Sequence, residues 1–164
     1  MGENNAMFGG FQNDQIEAGN DNDFIAGGKN DDLISAGGGY NVIAFNKGDG
    51  RDTVMPGIGA SNTLSLGVGI DESSLSFLRT GQDLILEMGG SSQLTFRDWY
   101  ASAANQNFVN LQMIEEQQAS ISESGWNIEQ YDFKALVQAF DTAKAADAKL
   151  SSWNLMNGML DAHL

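Results

Sequence analysis

A repeat of nine residues organises the first third of the chain. One aliphatic residue recurs at every ninth position: Met7, Ile16, Ile25, Ile34 and Ile43. Two residues before each of them stands a carboxylate or its amide: Asn5, Asp14, Asp23, Asp32 and Asn41. Glycines cluster ahead of most of these polar residues. Because two residue classes keep the same phase, the pattern argues against a disordered, glycine-rich acidic linker.

This period fits neither the face of a helix nor a long strand. It fits a glycine-rich turn of about six residues followed by a strand of about three. Two such units make one coil of a parallel β-roll, in which the turns alternate between two edges. Each aliphatic side chain then points inward between two small sheets. The repeat therefore predicts an all-β parallel β-roll over residues 1–54, with a core one side chain thick.

The same fold would bring acidic side chains close together. Repeats that follow each other on one edge stack at the strand spacing of roughly 4.8 Å. Asp14 should then lie over Asp32, and Asp23 should lie between Asn5 and Asn41 on the other edge. Two carboxylates at this distance repel by about 3.5 kcal/mol at an effective dielectric constant of about 20, so the stack needs a cation. Turn carbonyls and carboxylates are hard oxygen ligands, which favour calcium over magnesium, and zinc lacks the His or Cys that it prefers.

The repeated segment resembles the RTX (repeat-in-toxin) family, whose nonapeptide G-G-x-G-x-D-x-U-x binds calcium in a β-helix. The copy most similar to this consensus is residues 27–35, GGKNDDLIS. The resemblance implies that one turn supplies the carbonyls of its second and fourth residues together with its Asp. The stacked turn then supplies the carbonyls of its first and third residues and its own Asp.

Carried over to this sequence, the resemblance implies several calcium ions. The first ion would be bound by Gly10, Gln12, Asp14, Gly27, Lys29 and Asp32. The second would be bound by Gly19, Asp21, Asp23, Ala36, Gly38 and Asn41. In the next turn, residues 48–52 break the period by two positions. The third ion would accordingly be bound by Gly28, Asn30, Asp32, Asp49 and Asp52.

Ordinary strand patterns replace the repeat in residues 55–114, which we predict to form a β-hairpin cap over the open end of the roll. The predicted strands are Thr63–Leu66, Leu75–Leu78, Leu84–Met88, Leu94–Trp99 and a last one around Val109, Leu111 and Met113. This region is also similar to the block that follows the last repeats in RTX proteins. Its end is most similar to bacterial adenylate cyclase toxins, where the resemblance implies a cap that nucleates calcium-driven folding.

The last segment, residues 115–164, is predicted to be helical. Asn127 to Gln130 has the form of a capping box, and apolar residues then recur at helical spacing, which predicts a helix over 128–147. A second short helix is predicted within residues 151–164. By its position, and through the resemblance to RTX proteins, this tail could be part of a type I secretion signal.

Composition limits the possible functions. The formal net charge of −14 disfavours binding to nucleic acid or to an anionic membrane surface. No apolar run is long enough for a membrane span, and one His without Cys offers no catalytic constellation, so we expect no enzyme activity in this chain.

We expect a monomeric, calcium-binding module of a larger secreted bacterial protein, which folds on calcium after leaving through the type I secretion machinery. The alternatives are an adhesin module that binds a cell surface or glycan, and the C-terminal domain of a secreted protease, lipase or epimerase. An exposed aromatic cluster on the cap would favour the adhesin.

Overall fold

The computed structural model describes residues 3–57, 59–67, 69–117 and 125–164. Of the predicted segments, residues 1, 2, 58, 68 and 118–124 lie outside the described residues. The fold is mostly β-sheet with two helices, as expected for a β-rich repeat protein. The first strands are β1 (Ala6–Gly10), β2 (Gln15–Glu17), β3 (Phe24–Gly28), β4 (Leu33–Ser35), β5 (Val42–Phe45), β6 (Arg51–Met55) and β7 (Asn62–Leu66). They are followed by β8 (Leu75–Thr80), β9 (Asp83–Met88), β10 (Gln93–Phe96), β11 (Phe108–Gln117), β12 (Gly125–Asp132), helix α1 (Phe133–Ala146), β13 (Trp153–Asn154) and helix α2 (Met156–Ala162).

Strands of the repeat region pair in parallel with the strand eighteen residues away, alternately in two sheets. In the first sheet, Ile25 of β3 stands opposite Ile43 of β5. In the second, Ile16 of β2 stands opposite Ile34 of β4. Ile34 is in turn opposite Val54, twenty residues on, so the insertion of two residues seen in the sequence is present in the strand register.

Beyond β7 the pairing becomes mixed. Strand β9 pairs antiparallel with both β8 and β10, and β10 pairs in parallel with β6 of the second sheet. In the first sheet, β11 pairs in parallel with β7 and antiparallel with β12. The sheets are ordered β1-β3-β5-β7-β11-β12 and β13-β8-β9-β10-β6-β4-β2, so each continues from the repeats into the cap.

The core differs between the two ends of the molecule. In the repeats it consists mainly of one buried aliphatic side chain per strand, such as Ile25, Ile34 and Ile43. In the cap it widens into a cluster of aromatic rings around Phe133, which packs edge to face on Phe77, Phe96 and Trp99. The cap therefore buries much larger apolar side chains than the thin strip of repeats does.

The helix predicted over 128–147 starts later than expected. Residues 125–132 form strand β12 and pair with β11, so the predicted capping box at Asn127 to Gln130 is wrong. Helix α1 starts at Phe133, and Asp132 caps it by accepting a hydrogen bond from the main-chain N–H of Ala135 at 2.9 Å. Pairing with β11 satisfies the backbone of residues 125–132, and this tertiary interaction outweighs the local capping signal.

The chain end folds back on the cap. Trp153 and Asn154, which lie in the predicted second helix, instead form β13 beside β8, and the helical part is limited to α2. The main-chain N–H of Leu164 donates to the carbonyl of Gln130 at 2.9 Å. Neither helix within the described ranges has the length and apolar character needed to cross a membrane.

Candidate metal centre

Three aspartates at the starts of strands β2, β4 and β6 form a hydrogen-bonded column along one edge of the repeats. The main-chain N–H of Asp14 donates to Oδ1 of Asp32 at 2.8 Å. The N–H of Asp32 donates in the same way to Oδ1 of Asp52 at 3.0 Å. The structure thus stacks Asp14 with Asp32, as the repeat predicts, and adds Asp52 to the same column. One oxygen of Asp32 and one of Asp52 link the turns.

The opposite edge repeats this arrangement with a different composition. The main-chain N–H of Asn5 donates to Oδ1 of Asp23 at 2.8 Å, and the N–H of Asp23 donates to Oδ1 of Asn41 at 2.9 Å. Asp23 therefore lies between Asn5 and Asn41, as predicted. This column alternates carboxylate and amide, whereas the first column contains carboxylates only.

The second oxygen of several stacked carboxylates is buried without a hydrogen-bond donor. Among the described residues, this holds for Oδ2 of Asp14, Asp23 and Asp32. The residues Asp23 and Asp32 are each only 3% exposed, so water does not replace the missing donor readily. Leaving a buried acceptor unsatisfied costs about 1–3 kcal/mol, and more if it is charged. A cation bound beside these oxygens would satisfy them.

Glycine at the first position of the turn keeps space open beside these oxygens. A Cβ added to Gly27 would collide with Oδ2 of Asp32. A Cβ added to Gly9 would lie 2.7 Å from Oδ2 of Asp14 and would also collide with the carbonyl oxygen of Gly27. One carboxylate oxygen and one main-chain carbonyl therefore border the same small space, and both are ligand types that calcium takes.

The turns of this edge share an unusual backbone. Gly10 and Gly28 have φ angles of 105° and 108°, and two positions later Gln12 and Asn30 have 78° and 82°. Residues other than glycine rarely adopt such angles, so the repeated pair shows that successive turns are built alike. The carbonyl of Gly10, a predicted ligand, also accepts a main-chain hydrogen bond from the N–H of Lys29 at 2.7 Å.

Negative charge is concentrated at the end of this column. The pKa of the Asp52 carboxyl is raised to about 7, chiefly because burial removes its water, and also because Asp32 and Asp49 are close by. The pKa of Asp32 is raised as well, again first by burial and then by the neighbouring carboxylates. Each of these two carboxylates accepts a hydrogen bond from a main-chain N–H of the preceding stacked turn. That bond lowers the pKa but does not cancel the rise. A cation would offset both burial and repulsion.

Asp49, a predicted ligand of the third ion, is buried but already has partners. Its Oδ2 accepts from the main-chain N–H of Asn46 at 2.7 Å, and its Oδ1 lies 3.2 Å from Nζ of Lys29. The structure therefore places Asp49 beside the column while its oxygens close the turn that contains the insertion. Gly50 of the same turn packs on the carbonyl of Asn30, where an added Cβ would collide.

The second predicted ion has the least regular surroundings. The carbonyl of Gly19 accepts from the N–H of Gly38 at 3.0 Å, and Gly39 packs so closely on the carbonyl of Asp21 that a Cβ would collide. The carbonyls of Ala36 and Gly38 both accept hydrogen bonds from the side chain of Asn41. The sequence places these residues in one turn pair correctly but does not show that the amide is directed at them.

Two amides that the sequence reasoning missed continue this edge into the cap. Asn62 is buried and its Oδ1 accepts from Nδ2 of Asn41 at 3.0 Å, while Nδ2 of Asn107 donates to the carbonyl of Gly57 at 3.1 Å. Asn62 lies twenty-one residues after Asn41, so the nine-residue period does not reveal it. The one local sign of Asn62 in the sequence is its spacing, because it follows Gly57 by five residues just as Asn41 follows Ala36.

Side chains alone do not make the site. In the parts of the chain that the structure describes, no group of three or more His, Cys, Asp or Glu side chains is close enough to hold a metal ion. An ion beside Asp14 or Asp32 would therefore take much of its coordination from main-chain carbonyls. That donor set is entirely oxygen, which suits calcium and does not suit zinc or copper.

The repeat therefore stacks acidic turns in which carboxylate oxygens without donors lie beside main-chain carbonyls. These are the ligands of a hard cation. Residues 4–43 match the family model of the RTX calcium-binding nonapeptide repeat in four copies, and this segment belongs to that family. Repeats of this family bind calcium. No curated protein matches the chain.

Proposed function

We propose that the chain is a calcium-binding RTX module of a larger secreted bacterial protein, and that residues 1–54 form a parallel β-roll when calcium is bound. The observation that carries this proposal is the set of buried Oδ2 atoms of Asp14, Asp23 and Asp32 without donors. We infer several ions, bound beside these carboxylate oxygens. The ligands of each would be those that the RTX resemblance implies, with the exceptions considered below.

The role of the chain's own residues follows from their positions. Asp14 and Asp32 present oxygens toward the inside of the turns, and Gly9 and Gly27 keep that space clear. Calcium, when bound, would supply the positive charge that these oxygens lack. The hydrogen bonds from one turn to the carboxylate of the next couple neighbouring sites, so binding at one should favour order at the next.

Calcium dependence suits export and folding outside the cell. Without calcium, stacking these carboxylates is opposed by burial and repulsion, and the small aliphatic core offers little compensation. The repeats as far as residue 35 would therefore remain unfolded at low cytosolic calcium, pass through a type I secretion channel as an extended chain, and fold outside. The cap, with its larger aromatic core, would provide the end on which the coils assemble.

A toxin-like parent is the form of this proposal that the resemblance to adenylate cyclase toxins suggests. The adhesin alternative gains no support from the cap, because its aromatic residues Phe77, Phe96, Trp99 and Phe133 are buried. We infer that the module is monomeric and has no catalytic role of its own. A protease, lipase or epimerase activity would belong to another part of the parent protein.

The proposal is tested by following the folding of the whole chain with calcium, with magnesium, and with a chelator. We expect millimolar calcium to increase the far-UV strand signal and to protect the amides of residues 5–35 from hydrogen exchange, while magnesium does not. The variant Asp14→Asn should require more calcium for folding, whereas Glu17→Gln, on an exposed neighbouring position, should not. A strand signal and exchange pattern unaffected by chelation would overturn the proposal.

A further inference from the structure

The side chain of Asn41 makes contacts that no carboxylate could make. It is 1% exposed, and its Nδ2 donates to the carbonyls of Ala36 and Gly38 at 3.0 and 2.8 Å. The same Nδ2 lies 3.0 Å from Oδ1 of Asn62. A single amide group therefore faces three oxygen atoms, two from its own turn and one from the turn that stacks next to it toward the cap.

The orientation of this amide is set by its other end. Oδ1 of Asn41 lies 2.9 Å from the main-chain N–H of Asp23, which can only donate. A flipped side chain would place two donors together there and would leave the carbonyls of Ala36 and Gly38 facing an oxygen. The hydrogen-bond network thus assigns oxygen and nitrogen without ambiguity.

Asp32 occupies the equivalent place in its own turn and shows what the amide replaces. It also accepts a main-chain N–H from the residue eighteen positions earlier, Asp14, through Oδ1. Its other atom, Oδ2, is buried without a donor. At Asn41 the corresponding atom is a nitrogen whose two N–H groups are shared among three nearby oxygens. The amide thus places the positive end of a dipole at the position where Oδ2 of Asp32 has no donor.

From this comparison we infer that the Asn41 carboxamide takes the place of a calcium ion in turn 36–41, which hydrogen bonds hold together without metal. The inference rests on the proposed calcium binding by the other turns. It reassigns Ala36, Gly38 and Asn41 from ion ligands to a metal-free turn. It also makes this turn a latent calcium site that Asn41→Asp would open.

A second buried amide, that of Asn107, makes a similar contact in the next turn along this edge. Nδ2 of Asn107, which is also buried, donates to the carbonyl of Gly57, and the main-chain N–H of Asn62 donates to the carbonyl of Asn107 at 2.7 Å. Gly57 packs on the carbonyl of Gly37, so its turn stacks on turn 36–41. Amides thus replace ions as the edge approaches the cap, which keeps the last coils in place when calcium is absent.

The test is the number of calcium ions bound per chain at saturation, measured by equilibrium dialysis with radioactive calcium on the whole protein. Asn41→Asp should bind one ion more than the wild type. The control is Asn22→Asp, because exposed Asn22 also accepts a main-chain N–H, from Tyr40 at 2.8 Å, and undergoes the same charge change. It should leave the number of ions unchanged.

Hydrogen exchange on the wild type provides a second measurement that does not depend on a variant. On chelation, protection should fall by more than about tenfold in the amides of turn 27–32 and by much less in turn 36–41. The reciprocal variant Asp32→Asn should bind fewer ions and should keep more protection in turn 27–32 under chelation than the wild type does.

The outcomes separate the two proposals. A wild type that binds no calcium would remove the proposed function itself. A wild type that binds calcium, with no extra ion in folded Asn41→Asp, would overturn only the inference about the amide. Should Asn41→Asp not fold in calcium, equal loss of protection in turns 27–32 and 36–41 of the wild type would overturn it instead.

Discussion

The main-chain N–H of Asp32 donates to Oδ1 of Asp52 at 3.0 Å, although twenty residues separate the two instead of the eighteen found elsewhere in the column. The insertion is therefore accommodated within the turn before Asp52, without shifting the acidic column. Asp49 lies in that turn and bonds to the main-chain N–H of Asn46 at 2.7 Å. Its position explains how a longer turn still delivers Asp52 to the stack.

This arrangement predicts the effect of replacing Asp49. In Asp49→Ala the N–H of Asn46 loses its partner, so the free energy of unfolding should fall by about 1–3 kcal/mol, with calcium and with chelator alike. Urea unfolding under both conditions measures it, with Glu17→Ala as an exposed control. A loss seen only in calcium would instead make Asp49 an ion ligand, as the resemblance to RTX proteins implies.

Gly27 gives a second prediction, because an added Cβ would collide with Oδ2 of Asp32. Gly27→Ala should displace this oxygen and raise the calcium concentration needed for half-maximal folding by more than about tenfold, which corresponds to about 1.4 kcal/mol. The matched control is Gly38→Ala, where the nearest atom would be the Cα of Asn20 at 3.4 Å, an ordinary contact. Similar calcium titrations for both variants would show that the space beside Asp32 is not used.

The repeat itself was predictable because its register is encoded at every ninth residue. Once the strands stack, Asp14 can only lie next to Asp32, and the hydrogen bond between them confirms this. The nine-residue period does not, however, predict which atom of a stacked side chain points inward. Asn41 fits the polar position of the repeat as well as an Asp would, and only the carbonyls around it show that its nitrogen points inward.

The cap was less predictable, because its elements depend on which strands they pair with. Residues 125–132 carry a local helix-start signal at Asn127, yet strand β11 lies beside them and pairs with them over their whole length. In the same way, Trp153 forms a short strand because β8 offers it a free edge. The first pairing joins consecutive strands and outweighs the local helix signal, and the second joins segments that are far apart in the chain.

Phe133 provides a prediction for the cap. Its ring lies within 5.1–5.8 Å of the rings of Phe77, Phe96, Trp99 and Phe108, measured between centroids. Phe133→Ala should lower the free energy of unfolding by about 3–5 kcal/mol, equally with calcium and with chelator, because the cluster contains no candidate ligand. Leu160→Ala is the control, since Leu160 is 90% exposed. A loss confined to the calcium-bound protein would show that the cap is not independent of the repeats.

The last prediction concerns how pH affects the attachment of the chain end. Nε2 of His163 lies 2.6 Å from Oε2 of Glu129, so the C-terminal residues are tied to strand β12. This hydrogen bond, followed by one from Asn127, lowers the pKa of Glu129 below its usual value of 4.5. A lowered pKa in the folded state means that the ionised form stabilises the fold. The contribution is therefore present above pH 4.5 and is lost as the pH falls through the lowered value.

Glu129→Gln should consequently loosen the chain end at neutral pH and have little effect in strong acid. Hydrogen exchange at the N–H of Leu164, which donates to the carbonyl of Gln130, reports this attachment directly. We expect faster exchange than in the wild type at pH 7, corrected for the intrinsic rate, and a difference that narrows below the pKa of Glu129. Glu17→Gln, on a distant exposed position, should match the wild type throughout. A difference that persisted unchanged in acid would mean that the ionised carboxylate does not hold the chain end in place.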